Sequence, residues 1–291
     1  MWIDDFRSIM KDTGEDRFYD THYFSRVDST NEVIKRAFRT GRLTLSPDEG
    51  DIVQGEHDSD RNSAPASPKE GFLVIGEEQT AGKGRIGRKW VSPAGESVYF
   101  SFLLQPKVDP EHVSALTLVM GLSVAQAVRS VLAQTARIKW PNDIVIHGKK
   151  ICGILTEAQA GPEGLDYVVI GTGINVNNRQ FPPELKDATS LAIEEGKKVP
   201  RALILAAVLK AFHSNYRKFC EAGDMSTLVS DYDFLLVDKD EKVRIEDPRV
   251  PYVAVSRGID EYGRLNVERE DGTKEKIATG EVSVRGIYGY V

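Results

Sequence analysis

The stretch EEQTAGKGRIGRKWVSPAGESVYF, Glu77 to Phe100, carries Gly82, Gly84 and Gly87 in the spacing G-x-G-x-x-G. Dinucleotide-binding turns and protein-kinase phosphate loops share that spacing, and the element next in the chain discriminates between them. A dinucleotide fold needs the loop to open a helix whose N-terminal amides receive the pyrophosphate. Here Pro93 and Gly95 break any helix, and the apolar, β-rich run SVYFSFLL comes next. A kinase loop does run from strand to strand, but V-A-I-K, H-R-D and D-F-G are missing; Asp233-Phe234-Leu235 is the nearest approach and lies in a helical pattern. The Walker pattern fails too, because Gly87 precedes Arg88-Lys89. What remains is a glycine-freed backbone between two strands, FLVIGEE and SVYFSFLL, presenting amides beside Lys83, Arg85 and Arg88. Such a loop suits a phosphate or a carboxylate, or both at once when an acid attacks a nucleotide phosphate. A tight solvated turn is the plain alternative.

Upstream, VDSTNEVIKRAF sets Ser29 three residues ahead of Glu32, with Val33, Ile34, Ala37 and Phe38 at helical spacing. This predicts a capping box opening an amphipathic helix, with Ser29, Thr30 and Asn31 at its N-terminus; capping alone accounts for such a triplet equally well. Downstream, a long helix is expected from about His112 to Gln134. ARIKWPNDIVIHGKKICGILTEA then reads as a strand to Trp140, a Pro-Asn-Asp turn and a hairpin at His147-Gly148 returning through Ile151 to Leu155. LDYVVIGTGINV is a further strand, and helices over Pro200 to Glu221 and Met225 to Leu236 complete an α+β unit, residues 1–236. From about Val237 short strands succeed one another, with Asp271-Gly272 as a hairpin signal, so residues 237–291 read as a small β-barrel.

The chain has 291 residues, 41% of them hydrophobic, enough for one large domain and a small one without covalent staples. Its two cysteines, Cys152 and Cys220, sit in apolar-patterned segments, which predicts two buried thiols and a reducing cytoplasm. The N-terminal sequence has no targeting pattern, and no run approaches about 18 uninterrupted apolar residues, so neither a leader nor a membrane span is expected. Net charge is −6, but Ser46 to Glu70 holds seven acids against Arg61 and Lys69, net −5, leaving −1 elsewhere. Rich in Ser, Pro, Asp and Gly, that segment reads as a mobile acidic insertion without a catalytic group. The basic loop in an otherwise balanced chain points to an anion site and away from a nucleic-acid-binding face.

STN at Ser29 to Asn31, EEQTAGKGRIGRKW, KWPNDIVIHGKKICGILTE, GTGINVN at Gly171 to Asn177 and TGEVSVRG at Thr279 to Gly286 together resemble the biotin protein ligases. The motifs stand in the family's order from about residue 20 onward. The resemblance implies a class II synthetase-like mixed sheet with helices on one side, followed by an SH3-like barrel. It implies that biotin and ATP, with Mg2+, form biotinyl-5'-AMP and pyrophosphate, and that a lysine of a biotin carboxyl carrier protein or domain then takes the biotin. It suggests a sheet-to-sheet homodimer. Only about twenty residues precede YFSRVDSTN, too few for the DNA-binding domain some members carry, so no repressor role and no nucleic-acid partner are expected.

By the same resemblance, Ser29, Thr30, Asn31 and Gln79 recognise the ureido group of biotin, and Gly82, Lys83, Gly84 and Arg85 form the loop that folds over biotin and the adenylate. Lys150 is similar to the lysine that meets the biotin carboxylate and the reacting phosphate, and Gly153 on the same strand falls among the biotin-binding residues with it; an exposed hairpin lysine is the alternative reading for Lys150. Arg85 and Lys150 are the implied catalytic pair. Arg85, Arg88, Trp90, Asn142, Asp143, Asn175 and Arg285 fall on the ATP or adenylate side, and Trp140 in the core. Asp143 either polarises the basic cluster or helps hold magnesium, and both readings stand. The chain departs from the G-R-G-R-x-G-R loop at Lys83, which keeps charge but loses the bidentate fork. A lipoate or octanoate ligase would want an apolar acyl slot and lack this loop, and a non-catalytic biotin sensor would have no use for Lys150 and Arg85.

Overall fold

The computed structural model describes residues 1–41, 43, 68–162, 164–247, 250–278, 283–286 and 290–291. Of the acidic stretch 46–70, all but Pro68, Lys69 and Glu70 lies outside the described residues. The chain runs α1 (Trp2–Thr13), β1 (Asp20–Phe24), α2 (Thr30–Thr40), β2 (Phe72–Gly76), β3 (Val98–Leu104), α3 (Leu116–Val131), β4 (Arg137–Lys139), β5 (Asp143–Ile146), β6 (Lys149–Gly161) and β7 (Gly164–Ile174). It continues through α4 (Leu191–Glu195), α5 (Arg201–Ala222), α6 (Val229–Leu235), β8 (Lys242–Glu246), β9 (Tyr252–Ile259), β10 (Leu265–Glu268), β11 (Lys274–Ile277) and β12 (Ser283–Gly286).

The first seven strands form one sheet in the order β1-β2-β3-β7-β6-β5-β4, mixed because β1 pairs parallel to β2 while the other neighbours are antiparallel. The two-residue period of the strands divides its faces. Leu73 and Ile75 of β2, Phe100 and Phe102 of β3, Ile154 of β6 and Ile170 of β7 turn toward α1, α3 and α5 in the main core. Phe72, Val74, Leu103, Tyr167 and Val169 turn the other way and bury Val33, Ile34 and Ala37 of α2 in a second cluster. The expectation of helices on one side therefore needs correction: α2 packs on the opposite face, where its apolar stripe finds the alternate residues of the same strands.

α1, which the sequence reading did not identify, closes the main core with Ile3, Phe6 and Met10. The long helix expected from His112 begins instead as a 3-10 segment, Pro110–Ala115, capped by Asp109, whose carboxylate accepts from Glu111 N–H at 3.0 Å. The combined helix Pro110–Val131 is long and apolar enough to cross a membrane by composition, but most of it is buried in the core. β6 extends well beyond Leu155, to Gly161, and pairs with β7 along that length. Cys152 is buried and Cys220 only partly so, and both are free thiols.

The remaining strands make a five-stranded antiparallel sheet in the order β11-β10-β9-β8-β12, with β10 and β11 joined at Asp271-Gly272. Polar contacts lock the two sheets together. Trp140, fully buried, donates from Nε1 to Gly263 O at 3.1 Å, and the Lys139 ammonium donates to Val284 O at 2.9 Å. Trp140→Phe leaves the Gly263 carbonyl without its partner, a loss of about 1–3 kcal/mol for a buried group. Urea unfolding is expected to show that loss; an unchanged midpoint would mean that the second sheet is not held through this contact.

Candidate active site

The site begins as a gap in the middle of the large sheet. Gly153 pairs with Gly173 across β6 and β7, and Tyr99 flanks Gly173 on β3. Gly171 lies on the same face two residues earlier. A Cβ on Gly173 would sit 2.5 Å from Trp90 Nε1, one on Gly153 2.8 Å from the Trp90 ring, and one on Gly171 2.1 Å from Asn31 Oδ1. The glycines therefore let an indole and a carboxamide rest directly on strand backbone. Over this floor opens a cavity of about 730 Å3.

The N-terminus of α2 forms one wall. Ser29 is its N-cap as expected, yet its hydroxyl makes no cap hydrogen bond, and its own N–H donates to Asp28 Oδ1 at 2.7 Å. Glu32, the other half of the expected capping box, turns away because Lys35 and Lys83 both reach its Oε1 at 2.6 Å. Ser29, Thr30 and Asn31 line the cavity, all buried. Behind them Ser101 Oγ lies 2.6 Å from Thr30 Oγ1 and donates to Asn31 Oδ1 at 2.5 Å, while Asn31 Nδ2 donates to Glu157 at 2.7 Å. Gln79 accepts from Thr30 N–H at 3.0 Å and donates to Ser92 Oγ at 2.9 Å. The result is a rigid polar end whose orientation is fixed from behind.

The glycine loop is a narrow hairpin. Trp90 N–H donates to Gly82 O, Gly84 N–H to Arg88 O, and Lys83 bridges Lys89. Gly82 does not line the cavity; it lies in the loop's neck, where a Cβ would come within 2.5 Å of Trp90 O. At the tip Ile86 takes a left-handed conformation (φ 55°), followed by Gly87 (φ 69°). The loop lines the cavity and sends a cation to each side: Lys83 reaches out to Glu32, and Arg85 donates to Asn142 Oδ1 at 2.7 Å.

Opposite α2 lies a cationic end. The Lys150 ammonium is 2.6 Å from Asp143 Oδ1 and 5.2 Å from the centre of the Trp90 ring, and Tyr290 OH donates to Asp143 Oδ2. Burial works to raise the Asp143 pKa, but Lys150 and Tyr290 outweigh it and hold the carboxylate below its ordinary range. Burial lowers the Arg85 pKa, with Asp143 opposing. Lys139 is buried beneath the Tyr290 ring, and burial pulls its pKa down as well. Lys83, Gly84, Arg88, Trp90, Asn142, Gly153 and Arg285 all line the cavity; so does Asn175, whose Nδ2 is used to hold Thr189 O at 3.1 Å. Every residue assigned to the site from the sequence, except Gly82, thus lines one cavity. Sequence reasoning missed Lys139, Tyr290 and the segment carrying Phe181, Leu185 and Asp187. Lys139 stood inside a motif already in view; the others carry no pattern of their own. Among the described residues no group of three or more His, Cys, Asp or Glu is placed to hold a metal.

The mixed sheet, with its polar pocket, cationic end and glycine hairpin, falls by comparison with known proteins among the ligases of the biotin and lipoate type. The sequence model of the Biotin/lipoate A/B protein ligase family matches residues 57–175, and that of the Biotin protein ligase C terminal domain matches residues 240–285, in keeping with the SH3-like second sheet. The bifunctional ligase/repressor BirA of Bacillus subtilis is 36% identical over 231 residues, 78% of this chain and 69% of that protein. The biotin--[acetyl-CoA-carboxylase] ligase of Mycobacterium tuberculosis is 32% identical over 227 residues, covering 76% and 81%. The structure of the Aquifex aeolicus biotin protein ligase in complex with biotin and ATP superposes with a TM-score of 0.72 at 31% identity, over 92% of this chain and 100% of that one. The chain belongs to the biotin protein ligase family and is an enzyme of the biotin--carrier-protein ligase type.

Glu32 gives the site a measurable electrostatic signature. Burial raises its pKa, but hydrogen bonds from Lys35 and Lys83 bring it from 4.5 to about 2. A folded pKa below the unfolded one contributes stability that is complete above the unfolded value and lost as pH falls through the folded value. The stability difference between wild type and Glu32→Gln is therefore expected to be constant above about pH 5 and to shrink toward pH 2 in paired denaturation curves. A difference independent of pH over that window would show that Glu32 is not held as a carboxylate by these lysines.

Proposed function

We propose that the cavity carries out both half-reactions of biotin transfer: a biotin carboxylate oxygen attacks the α-phosphorus of ATP as the bond to pyrophosphate breaks, and a carrier lysine amine then attacks the biotinyl carbonyl as AMP departs, the amine's proton passing to solvent. The observation carrying this reading is the meeting of the Lys150 ammonium and the Arg85 guanidinium at one end of a cavity whose other end is lined by Ser29, Thr30 and Asn31. Biotin suits that division. Its ureido group donates and accepts hydrogen bonds, matching hydroxyls and amides already oriented by Ser101, Glu157 and Ser92. Its carboxylate would lie toward the cations, which stabilise the charge developing on the transferred phosphoryl group.

Trp90 fits the adenylate side of this scheme. Its buried Nε1–H has no partner among the described residues, and the ring lies on Gly153 and Gly173 between the polar and cationic ends. Arg88, Asn142, Asn175 and Arg285 complete the nucleotide side, and Lys83, Gly84 and Arg85 the covering loop. Gly82 serves by shaping the loop's neck. Among the described residues the acids do not gather into a cage, and a magnesium ion arriving with ATP would take its ligands largely from the phosphates and water. Asp143, occupied by Lys150 and Tyr290, fits the role of polarising the cationic end.

The division into a catalytic unit, residues 1–236, and a C-terminal unit, residues 237–291, belongs to the same proposal. So do a homodimer, a biotin carboxyl carrier domain as acceptor, a cytoplasmic site of action and the absence of a repressor role.

Pyrophosphate exchange separates this reading from lipoate activation, which the family also includes. Biotin is expected to support exchange and lipoate not to. Lys150→Ala is expected to keep the fold and to lower biotin-dependent exchange by on the order of a hundredfold, the scale of about 3 kcal/mol lost with one such charge. Exchange that prefers lipoate, or a Lys150→Ala enzyme with wild-type turnover at saturating biotin, would overturn it.

A further inference from the structure

Glu32, Lys35 and Glu157 do not line the cavity, yet they form an unbroken chain of contacts between two parts that do. From the hairpin, Lys83 Nζ reaches Glu32 Oε1 at 2.6 Å; Lys35 Nζ reaches the same oxygen at 2.6 Å and Glu157 Oε1 at 2.8 Å; Glu157 Oε2 accepts from Asn31 Nδ2 at 2.7 Å. Beyond Asn31 the chain continues to Ser101 and Thr30. Its outer end is half-exposed, with Lys83 at 48%, while Lys35 and Glu32 are only 17% and 20% exposed. Isolated surface ion pairs contribute little, but a shared carboxylate in a partly buried network is held much more firmly.

The geometry decides what such a chain does. Backbone bonds from Thr80 and Ala81 N–H to Val27 and Asp28 O fix the loop's neck beside α2, and beyond the neck two side-chain contacts, among the described residues, tie the glycine-freed hairpin to its surroundings. Arg85 pins one side to Asn142, and Lys83 pins the other to α2, the helix whose first turn presents Thr30 and Asn31. Glu157 also fixes which way the Asn31 amide faces: its Nδ2 donates to Glu157 while its Oδ1 accepts from Ser101. We infer that Glu32, Lys35 and Glu157 are positioning residues that couple the closed state of the loop to the orientation of Asn31 at the polar end of the pocket. The inference rests on the reading of that pocket as the biotin site. A loop held down through this chain binds biotin more tightly and keeps the reactive adenylate from solvent; a correctly oriented Asn31 in turn favours the closed loop, since coupling between two sites is reciprocal.

The chemistry around the chain agrees. Burial pulls the Lys35 pKa down, but Glu157 and Glu32 more than reverse it, so the ammonium is held charged between two carboxylates. An arginine in place of Lys35 keeps charge and reach, whereas a methionine keeps only the aliphatic bulk.

Two readouts test this on the full chain: biotin affinity by calorimetric titration, and escape of biotinyl-5'-AMP, read as labelling of added albumin in the presence of ATP and biotin. Lys35→Met and Glu32→Gln are expected to weaken biotin binding by about tenfold and to label albumin. Lys35→Arg should restore both toward wild type, and melting curves check that each variant is folded. In the double variant Lys35→Met/Lys83→Met the losses should be well short of additive, because both break one chain. Wild-type affinity and wild-type confinement of label in folded Lys35→Met and Glu32→Gln would overturn the coupling while leaving the site assignment standing. A wild-type enzyme that binds no biotin would instead overturn the site assignment, and the coupling with it.

Discussion

The absence of side chains at Gly153, Gly171 and Gly173, in the centre of a seven-stranded sheet, is the constraint on which the rest of the site depends. Glycine inside a strand weakens it, by roughly 0.5–1 kcal/mol relative to alanine at each position. The sheet tolerates the loss because its other face is anchored at the same strands by Ile154, Ile170 and Ile174 against the helices of the main core. One face supplies stability and the other is left open. Into the opening come Asn31 from α2 and Trp90 from the hairpin, each in contact with backbone, and between them a polar end and an aromatic wall are set at fixed separation.

Electrostatics then divide the cavity. Hydroxyls and amides, mutually hydrogen-bonded, hold one end neutral. Lys139, Lys150 and Arg85 crowd the other, and Asp143 is the carboxylate that lets three partly buried cations coexist there. The second sheet is part of this balance: Val284 O takes a hydrogen bond from Lys139, and Tyr290 closes over both Lys139 and Asp143. A chain segment more than a hundred residues away in sequence thus finishes the charged end, which is why the small sheet is locked to the large one through Trp140 and Lys139.

Much of this was legible in the sequence where local chemistry dictates local structure. Pro93 and Gly95 forced the glycine loop to lie between strands, and Ser29 marked a helix start. His147-Gly148 and Asp271-Gly272 marked hairpins, with positive φ at His147, Gly148 and Gly272. What escaped was set by distance. The capping box at Ser29 fails because Glu32 is taken by Lys35 on its own helix together with Lys83, 51 residues beyond. The face on which α2 packs depends on which strand residues alternate toward it, and a single amphipathic stripe does not say. α1 has helical spacing at Ile3, Phe6 and Met10, but the partner that makes the stripe a core element is α5, about two hundred residues on. Tyr290 reaches Asp143 through the tertiary return of the chain, 147 residues apart, and no local pattern announces it.

The most direct measurement is the biotin dissociation constant of Gly171→Ala, taken beside its melting temperature. The added methyl would lie 2.1 Å from Asn31 Oδ1, on a strand whose backbone is fixed by pairing on both sides, so Asn31 must leave its place. Affinity is expected to fall by at least about tenfold, the scale of one displaced polar contact in a pocket, while the fold persists. A folded Gly171→Ala protein that binds biotin as wild type does would contradict the claim that the glycine floor, and the amide it admits, make the site.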